Sequence, residues 1–261
     1  MKSLSIVIPA FDESQRIGPS LESILSYIKN SNLRVEVIVV DDGSRDNTIE
    51  IVESFTTRYS EADSNLIVLR NPGNRGKGYS IRHGMLAATG EVVLFTDADL
   101  SSPITEAEKI IAPIIADQCD VAFGSRALAY EQIQVHQSKV REFIGRTFNF
   151  LMQIVTGLEF RDTQCGFKAF RRAAVRPVFT RQLIDGFGFD VEALYIANKL
   201  GFRLKEVAVQ WSHCDGTKVS MLGGLRTFAD LLTVRINDIT GRYSHGNSIL
   251  TSEDAAAKME R

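Results

Sequence analysis

Five short apolar runs constrain this chain more than any other feature: Leu4–Pro9, Val35–Val40, Leu66–Leu69, Val92–Thr96 and Val121–Gly124. Each has strand length and is rich in β-branched or bulky residues. Most lack the apolar–polar alternation of a half-exposed strand, so they suit strands buried on both faces. Helical periodicity lies between them. In 17–29, for example, Ile17, Leu21, Ile24, Leu25 and Ile28 share one face. Strand–helix–strand order at this spacing gives right-handed βαβ units, hence a Rossmann-like α/β fold with a mostly parallel sheet flanked by helices. Ligands of such sheets collect at the carboxyl ends of the strands. Polar clusters follow four of the runs there: Asp12/Glu13, Asp41/Asp42, Asp97/Asp99 and Ser125/Arg126. Each alone reads as a turn; four on one sheet edge point to a site.

Asp97 and Asp99 end the fourth run. In extended chain, residues two apart leave the same face. Two carboxylates that close repel each other unless a cation lies between them. An all-oxygen pair suits a hard divalent ion such as Mg²⁺ or Mn²⁺, above all one that also bridges a diphosphate. The plain alternative is two solvated loop aspartates. Arg75-Gly76-Lys77-Gly78 is a basic loop opening a helix, in which glycines admit phosphate and Lys77 adds charge. It lacks the Walker spacing, and no G-x-G-x-x-G follows the first strand, which excludes a dinucleotide oxidoreductase.

The totals exclude other classes. With 44% apolar and 24% charged residues and a net charge of −2, the chain has no global basic field for nucleic acid. Its three cysteines are scattered, as free thiols in a reducing compartment would be. No signal peptide and no apolar run of about 18 residues is evident. The expectation is a cytoplasmic protein, peripheral at the cytoplasmic face of a membrane if it meets one.

The second half is less regular. Helices are expected over 139–156, 187–200 and 221–239, a strand over 202–211, and a polar frayed tail from 243. The segment 161–168 reads as a turn into a strand-like Ala169-Phe170. The helices at 139–156 and 221–239 carry wide apolar faces with interspersed arginines. They pack on the sheet, pair in a homodimer, or lie in a lipid headgroup layer.

The motifs I-V-I-P-A-F-D-E, V-I-V-V-D-D-G-S and T-D-A-D resemble the family 2 inverting glycosyltransferases of GT-A fold. N-R-G-K-G at 74–78, G-S-R-A at 124–127, R-D-T-Q-C-G-F-K at 161–168, F-D-V-E at 189–192 and V-Q-W at 209–211 narrow this to the dolichyl-phosphate β-glucosyltransferase branch, over about residues 3–243. The resemblance implies one GT-A domain over 1–243. Residues 1–126 would be its nucleotide-sugar half and 127–243 its acceptor half, with 244–261 a flexible tail. It implies transfer of glucose from UDP-glucose to a polyprenyl phosphate, with Mg²⁺ or Mn²⁺ as cofactor. Eukaryotic members carry an N-terminal membrane span, whereas this chain enters its first strand by Leu4.

By the same resemblance, Asp99 and Asp97 hold the metal. Pro9, Ala10, Asp12, Glu13, Asp41, Asp42 and Ala98 line the donor pocket, with Arg75, Gly76 and Lys77 at its phosphates. A carboxylate there can accept from the uracil N3–H. A polyprenyl phosphate has a second pKa of about 6, so it brings its own anionic nucleophile. Its phosphate then needs positioning cations rather than a base. Arg126, Arg141 and Lys168 are the candidates, with Lys218 weaker. A hydroxyl acceptor would instead need a carboxylate base, and Asp162 or Glu192 are the places to look. Asp162 can equally fix the turn around Gly166. Another hexosyltransferase, or a non-catalytic sugar-nucleotide-binding protein, are the alternatives.

Overall fold

The computed structural model describes residues 3–62, 64–128, 152–212 and 221–244. Its sheet has seven strands in the order β3-β2-β1-β4-β6-β5-β7. These are β1 (Ser3–Ala10), β2 (Arg34–Asp41), β3 (Asn65–Arg70), β4 (Val92–Thr96), β5 (Val121–Ser125), β6 (Phe167–Arg171) and β7 (Leu204–Ala208). β1 pairs in parallel with both β2 and β4, β2 with β3, and β5 with β7. β6 runs antiparallel between β4 and β5, setting Phe95 and Phe123 opposite Lys168.

The alternation of side chains along each strand explains why the runs are continuously apolar. Ile6, Ile8, Val92 and Leu94 face one core layer, where α1 (Ile17–Asn30) and α5 (Ala107–Ile115) pack. Val7, Val93 and Phe95 face the other, with α4 (Lys77–Ala87), α6 (Arg172–Phe179) and α7 (Phe189–Lys199). Central strands covered on both faces have no polar side to show.

Several boundaries differ from expectation. The helix after β2 is broken at Phe55 into α2 (Thr48–Ser54) and α3 (Thr56–Glu61). The strand expected over 202–211 shortens to β7. α6 follows β6 directly and was not expected from the sequence. It spans 8 residues and contains Pro177, which as a helix breaker hides its amphipathic pattern. Of the helix expected over 139–156, only 152–156 lies within the described residues, and it is helical. α8 (Met221–Ile239) closes the described chain. No helix among the described residues is long and apolar enough to cross a membrane.

Candidate active site

The turns after β1 and β2 are stitched together by hydrogen bonds. The Asp12 amide donates to Ser44 Oγ at 3.0 Å, the Arg45 amide to Asp12 Oδ1 at 2.7 Å, and the Glu13 amide to Thr48 Oγ1 at 2.8 Å. Asp12 holds a φ of 50°, a left-handed conformation that aspartate tolerates through such local bonds. Glu13 also pairs with Arg16 at 2.7 Å. Pro9 is half-buried and Ala10 buried at the tip of β1, where the Ala10 carbonyl accepts from the Asp42 amide at 2.8 Å.

Asp41 and Asp42, both buried, have separate tasks. Asp41 accepts from the amides of Gly43 and Ser44, each at 3.2 Å, and so closes its own turn. Asp42 reaches across to the basic loop. It accepts from Asn71 Nδ2 at 2.8 Å, the Arg75 amide at 2.9 Å and the Gly76 amide at 2.8 Å. The glycines of that loop serve close packing. Gly76 has a φ of 104°, and a Cβ there would lie 2.5 Å from the Asp185 carbonyl oxygen. That same carbonyl accepts from the amides of Gly78 at 2.7 Å and Tyr79 at 3.3 Å. The amides of 75, 76, 78 and 79 are thus engaged within the protein. What the loop offers a phosphate is side-chain charge: the Lys77 ammonium and the Arg75 guanidinium, which lies 4.9 Å from the centre of the Tyr79 ring.

Lys77 Nζ lies 2.5 Å from Asp97 Oδ1. Burial works against its charge, but Asp97 and Asp190 outweigh that and hold its pKa above the usual lysine value. Gly166 presses on the same carboxylate: a Cβ on it would sit 2.3 Å from Asp97 Oδ2. Two residues on, Asp99 Oδ1 accepts from the Ser101 amide at 3.0 Å and Ser101 Oγ at 2.9 Å, and Oδ2 lies 3.9 Å from Arg16. Between them the carbonyl of buried Ala98 accepts from Ser20 Oγ at 2.6 Å, fixing the loop to α1. The two carboxylates are partly exposed, at 35% and 21%. Among the described residues no group of three or more His, Cys, Asp or Glu forms a complete metal cage. An oxygen-only pair at an open sheet edge fits a hard cation, which would need further oxygen ligands from outside the protein.

Arg126 and Asp162 form a two-point ion pair, Nε to Oδ2 at 2.7 Å and a second nitrogen to Oδ1 at 2.9 Å. The Arg126 amide adds a third bond at 2.9 Å. Burial opposes both charges, yet their mutual attraction lowers the Asp162 pKa and raises that of Arg126. Asp162 also accepts from the Gln164 amide at 3.1 Å, so it shapes the turn leading to Gly166. The Arg126 guanidinium lies 5.6 Å from the centre of the Trp211 ring, and the neighbouring Ser212 amide donates to the Ser101 carbonyl at 2.9 Å. The loop after β4, the 162–166 turn and the segment after β7 therefore converge.

Lys168 has a different place from the one expected of a phosphate-binding cation. It is fully buried as the second residue of β6, paired with Asp190 and donating to the Cys165 carbonyl at 2.6 Å. Arg141 and Lys218 lie outside the described residues.

A family model described as Glycosyl transferase family 2 matches residues 5–179. The chain belongs to that family. A dolichyl-phosphate beta-glucosyltransferase of Homo sapiens is 34% identical over 253 residues, covering 93% of this chain and 78% of that protein. One of Trichomonas vaginalis is 32% identical over 243 residues, covering 89% and 73%. The Mycobacterium tuberculosis glucosyl-3-phosphoglycerate synthase, crystallised with Mn²⁺, UDP-glucose and phosphoglyceric acid, superposes with a TM-score of 0.66. It is 18% identical and covers 90% of this chain and 80% of that one. The fold of this glycosyltransferase is GT-A.

Two residues of the transferase matter more than their sequence context suggested. Asp190 links the buried Lys168 to the neighbourhood of Lys77, and burial raises its pKa despite both lysines. Its signal was an acid at the start of an apolar helix. Glu192, also fully buried, accepts from the amides of Leu183 and Ile184 at 3.1 and 2.8 Å and from Tyr243 Oη at 2.8 Å. It thereby props the segment on which the Gly76 loop rests.

Burial pushes the Glu192 carboxyl up to about 7 against the bonds that favour its anion. A carboxyl whose folded pKa is raised binds its proton more tightly in the folded state. Its contribution is complete below the unfolded value near 4.5 and is lost as pH rises through about 7. We expect stability to fall across that window by up to about 3 kcal/mol from this group. Thermal melts of Glu192→Gln between pH 4.5 and 8 should be flatter than wild type. An unchanged slope would show that Glu192 does not titrate in the folded protein.

Proposed function

We propose that this family 2 glycosyltransferase moves glucose from UDP-glucose to a polyprenyl phosphate, inverting the anomeric centre to give a β-linked polyprenyl phosphate glucose and UDP. Residues 1–126 take the donor and 127–243 the acceptor. The observation that carries this reading is the state of the acids around the site. Among the described residues, each carboxylate considered as a base is already engaged: Asp162 by Arg126, and Glu192 by two amides and Tyr243. Asp190 is held by Lys168. A hydroxyl nucleophile would need a base that it can reach, and Glu192, although burial lifts its carboxyl to about 7, is fully buried. A phosphate monoester anion needs none, and asks only for cations to set it beside the donor.

The chain's own residues divide that work. The stitched turns of Pro9–Glu13 and Asp41–Ser44 form the floor against which uridine packs. Lys77 supplies charge to the diphosphate. Arg126, aligned by Asp162 and Trp211, is the described cation best placed for the acceptor phosphate. A divalent ion, Mg²⁺ or Mn²⁺, would be held by Asp99 with Asp97; when bound it stabilises the charge that grows on the leaving diphosphate. The names of the curated relatives support the lipid acceptor, and the Mn²⁺ and UDP-glucose complex of the synthase supports the donor and metal.

A lipid acceptor calls for a place at the membrane. α8 turns Leu231 and Val234 inward and leaves Leu232, Ile236 and Ile239 at 59%, 59% and 73% exposed. That one-sided stripe suits a peripheral position at the headgroup layer.

The test is a panel of radiolabelled UDP-sugars incubated with the protein, Mn²⁺ and polyprenyl phosphate in vesicles. Label from UDP-glucose should pass to the organic phase, in a product cleaved by mild acid. Label left wholly in water, or transferred only to a carbohydrate hydroxyl, would overturn the proposal.

A further inference from the structure

We propose that Lys77 is a displaceable counter-ion, which closes the Asp97 half of the candidate metal site until a nucleoside diphosphate draws it away. The inference rests on the donor-site reading above and adds an order of events to it. The Asp97 side chain is 35% exposed, but each of its oxygens has a close neighbour. Lys77 Nζ sits 2.5 Å from Oδ1, and the Gly166 backbone crowds Oδ2. A divalent cation approaching this carboxylate meets a positive charge at contact distance, where repulsion is strongest.

Only the side chain of Lys77 has to move. Its backbone neighbours are pinned, the Gly76 amide by Asp42 and the Gly78 amide by the Asp185 carbonyl. The side chain is 20% exposed and ends in a flexible four-carbon stem. A diphosphate offers the ammonium a doubly charged alternative to Asp97. Once Lys77 has turned to it, the Asp97 carboxylate would be open to a divalent cation, drawn there also by the diphosphate's charge. Diphosphate and cation then favour each other, and by thermodynamic reciprocity each tightens the other by the same factor. The arrangement keeps the acid pair neutralised between turnovers and disfavours metal capture without donor.

The test measures Mn²⁺ dissociation constants by electron paramagnetic resonance of free Mn²⁺, with and without UDP, and needs no catalysis. An adjacent unit charge shifts carboxylate equilibria by roughly ten- to a thousandfold. Lys77→Met is therefore expected to bind Mn²⁺ without nucleotide at least about tenfold more tightly than wild type. The factor by which UDP tightens Mn²⁺ should shrink correspondingly. Lys77→Gln, with a polar side chain of similar length, should behave as Lys77→Met does. Adding Asp97→Asn to Lys77→Met should abolish the gain. Circular dichroism confirms that each variant is folded. If either neutral variant binds Mn²⁺ without nucleotide no better than wild type, while still binding it with UDP, the counter-ion role is wrong. Failure of the wild type to bind Mn²⁺ even with UDP would instead defeat the metal reading itself, a result visible before any variant is made.

Discussion

Asp99→Ala should lower transfer by about a thousandfold or more while leaving the fold intact, a loss on the scale of removing a main electrostatic partner of the transition state. Asp99 sits where β4 releases the chain, one residue before Leu100, whose φ of 47° strains the turn. Its Oδ1 accepts from the Ser101 amide and hydroxyl, and its Oδ2 lies 3.9 Å from Arg16. The substitution therefore removes two things, a local turn bond and a negative charge. The turn bond is worth about 1 kcal/mol, a melting shift of a few degrees. Asp99→Asn separates the two, because its amide oxygen still accepts from Ser101 but the charge is gone. We expect Asp99→Asn to melt like wild type and to be as inactive as Asp99→Ala. Turnover within tenfold of wild type in either variant would remove the carboxylate from the mechanism.

Much of this was legible in the sequence for a physical reason. Strands covered on both faces are largely apolar, so β1, β2, β4 and β5 announced themselves, and their parallel order follows from the helices between them. The acids at their carboxyl ends follow from the same geometry. Lys168 shows where such reading stops. Its local sequence, a lysine after Gly166-Phe167, looks like a basic loop residue. Only the pairing of β6 between β4 and β5 reveals that it lies inside the sheet, opposite Phe95 and Phe123, and pairing between strands so far apart in sequence has no periodic signature. Asp162 and Arg126 are likewise 36 residues apart, and nothing local to either predicts their two-point bond. The glycines of 76–78 misdirect in another way. Glycine marks close approach, but the sequence does not say to what, and here the neighbour is the 184–186 backbone.

Lys168→Met should cost about 3–5 kcal/mol of stability, a large share of the 5–15 kcal/mol that holds a typical domain together. The lysine contributes little as an attraction; its loss matters because of what it leaves behind. Asp190 is 4% exposed, and burial already raises its pKa with Lys168 in place. Without that ammonium the carboxylate is an uncompensated buried charge, and its pKa climbs further. The sign of the pH dependence follows. The folded state then binds the Asp190 proton more tightly than the unfolded chain, so stability is retained at low pH and lost as pH rises above the unfolded value near 3.8. Urea unfolding midpoints of Lys168→Met should thus lie closer to wild type at pH 5 than at pH 8. Replacing both partners, Lys168→Met with Asp190→Leu, removes the stranded charge and should recover most of the loss. Activity should not return with it, because the ammonium also holds the Cys165 carbonyl, next to the Gly166 that bounds Asp97, and Asp190 lies beside Lys77. A Lys168→Met protein that loses under about 1 kcal/mol, equally at both pH values, would mean that this pair neither anchors the sheet nor carries its order to the site.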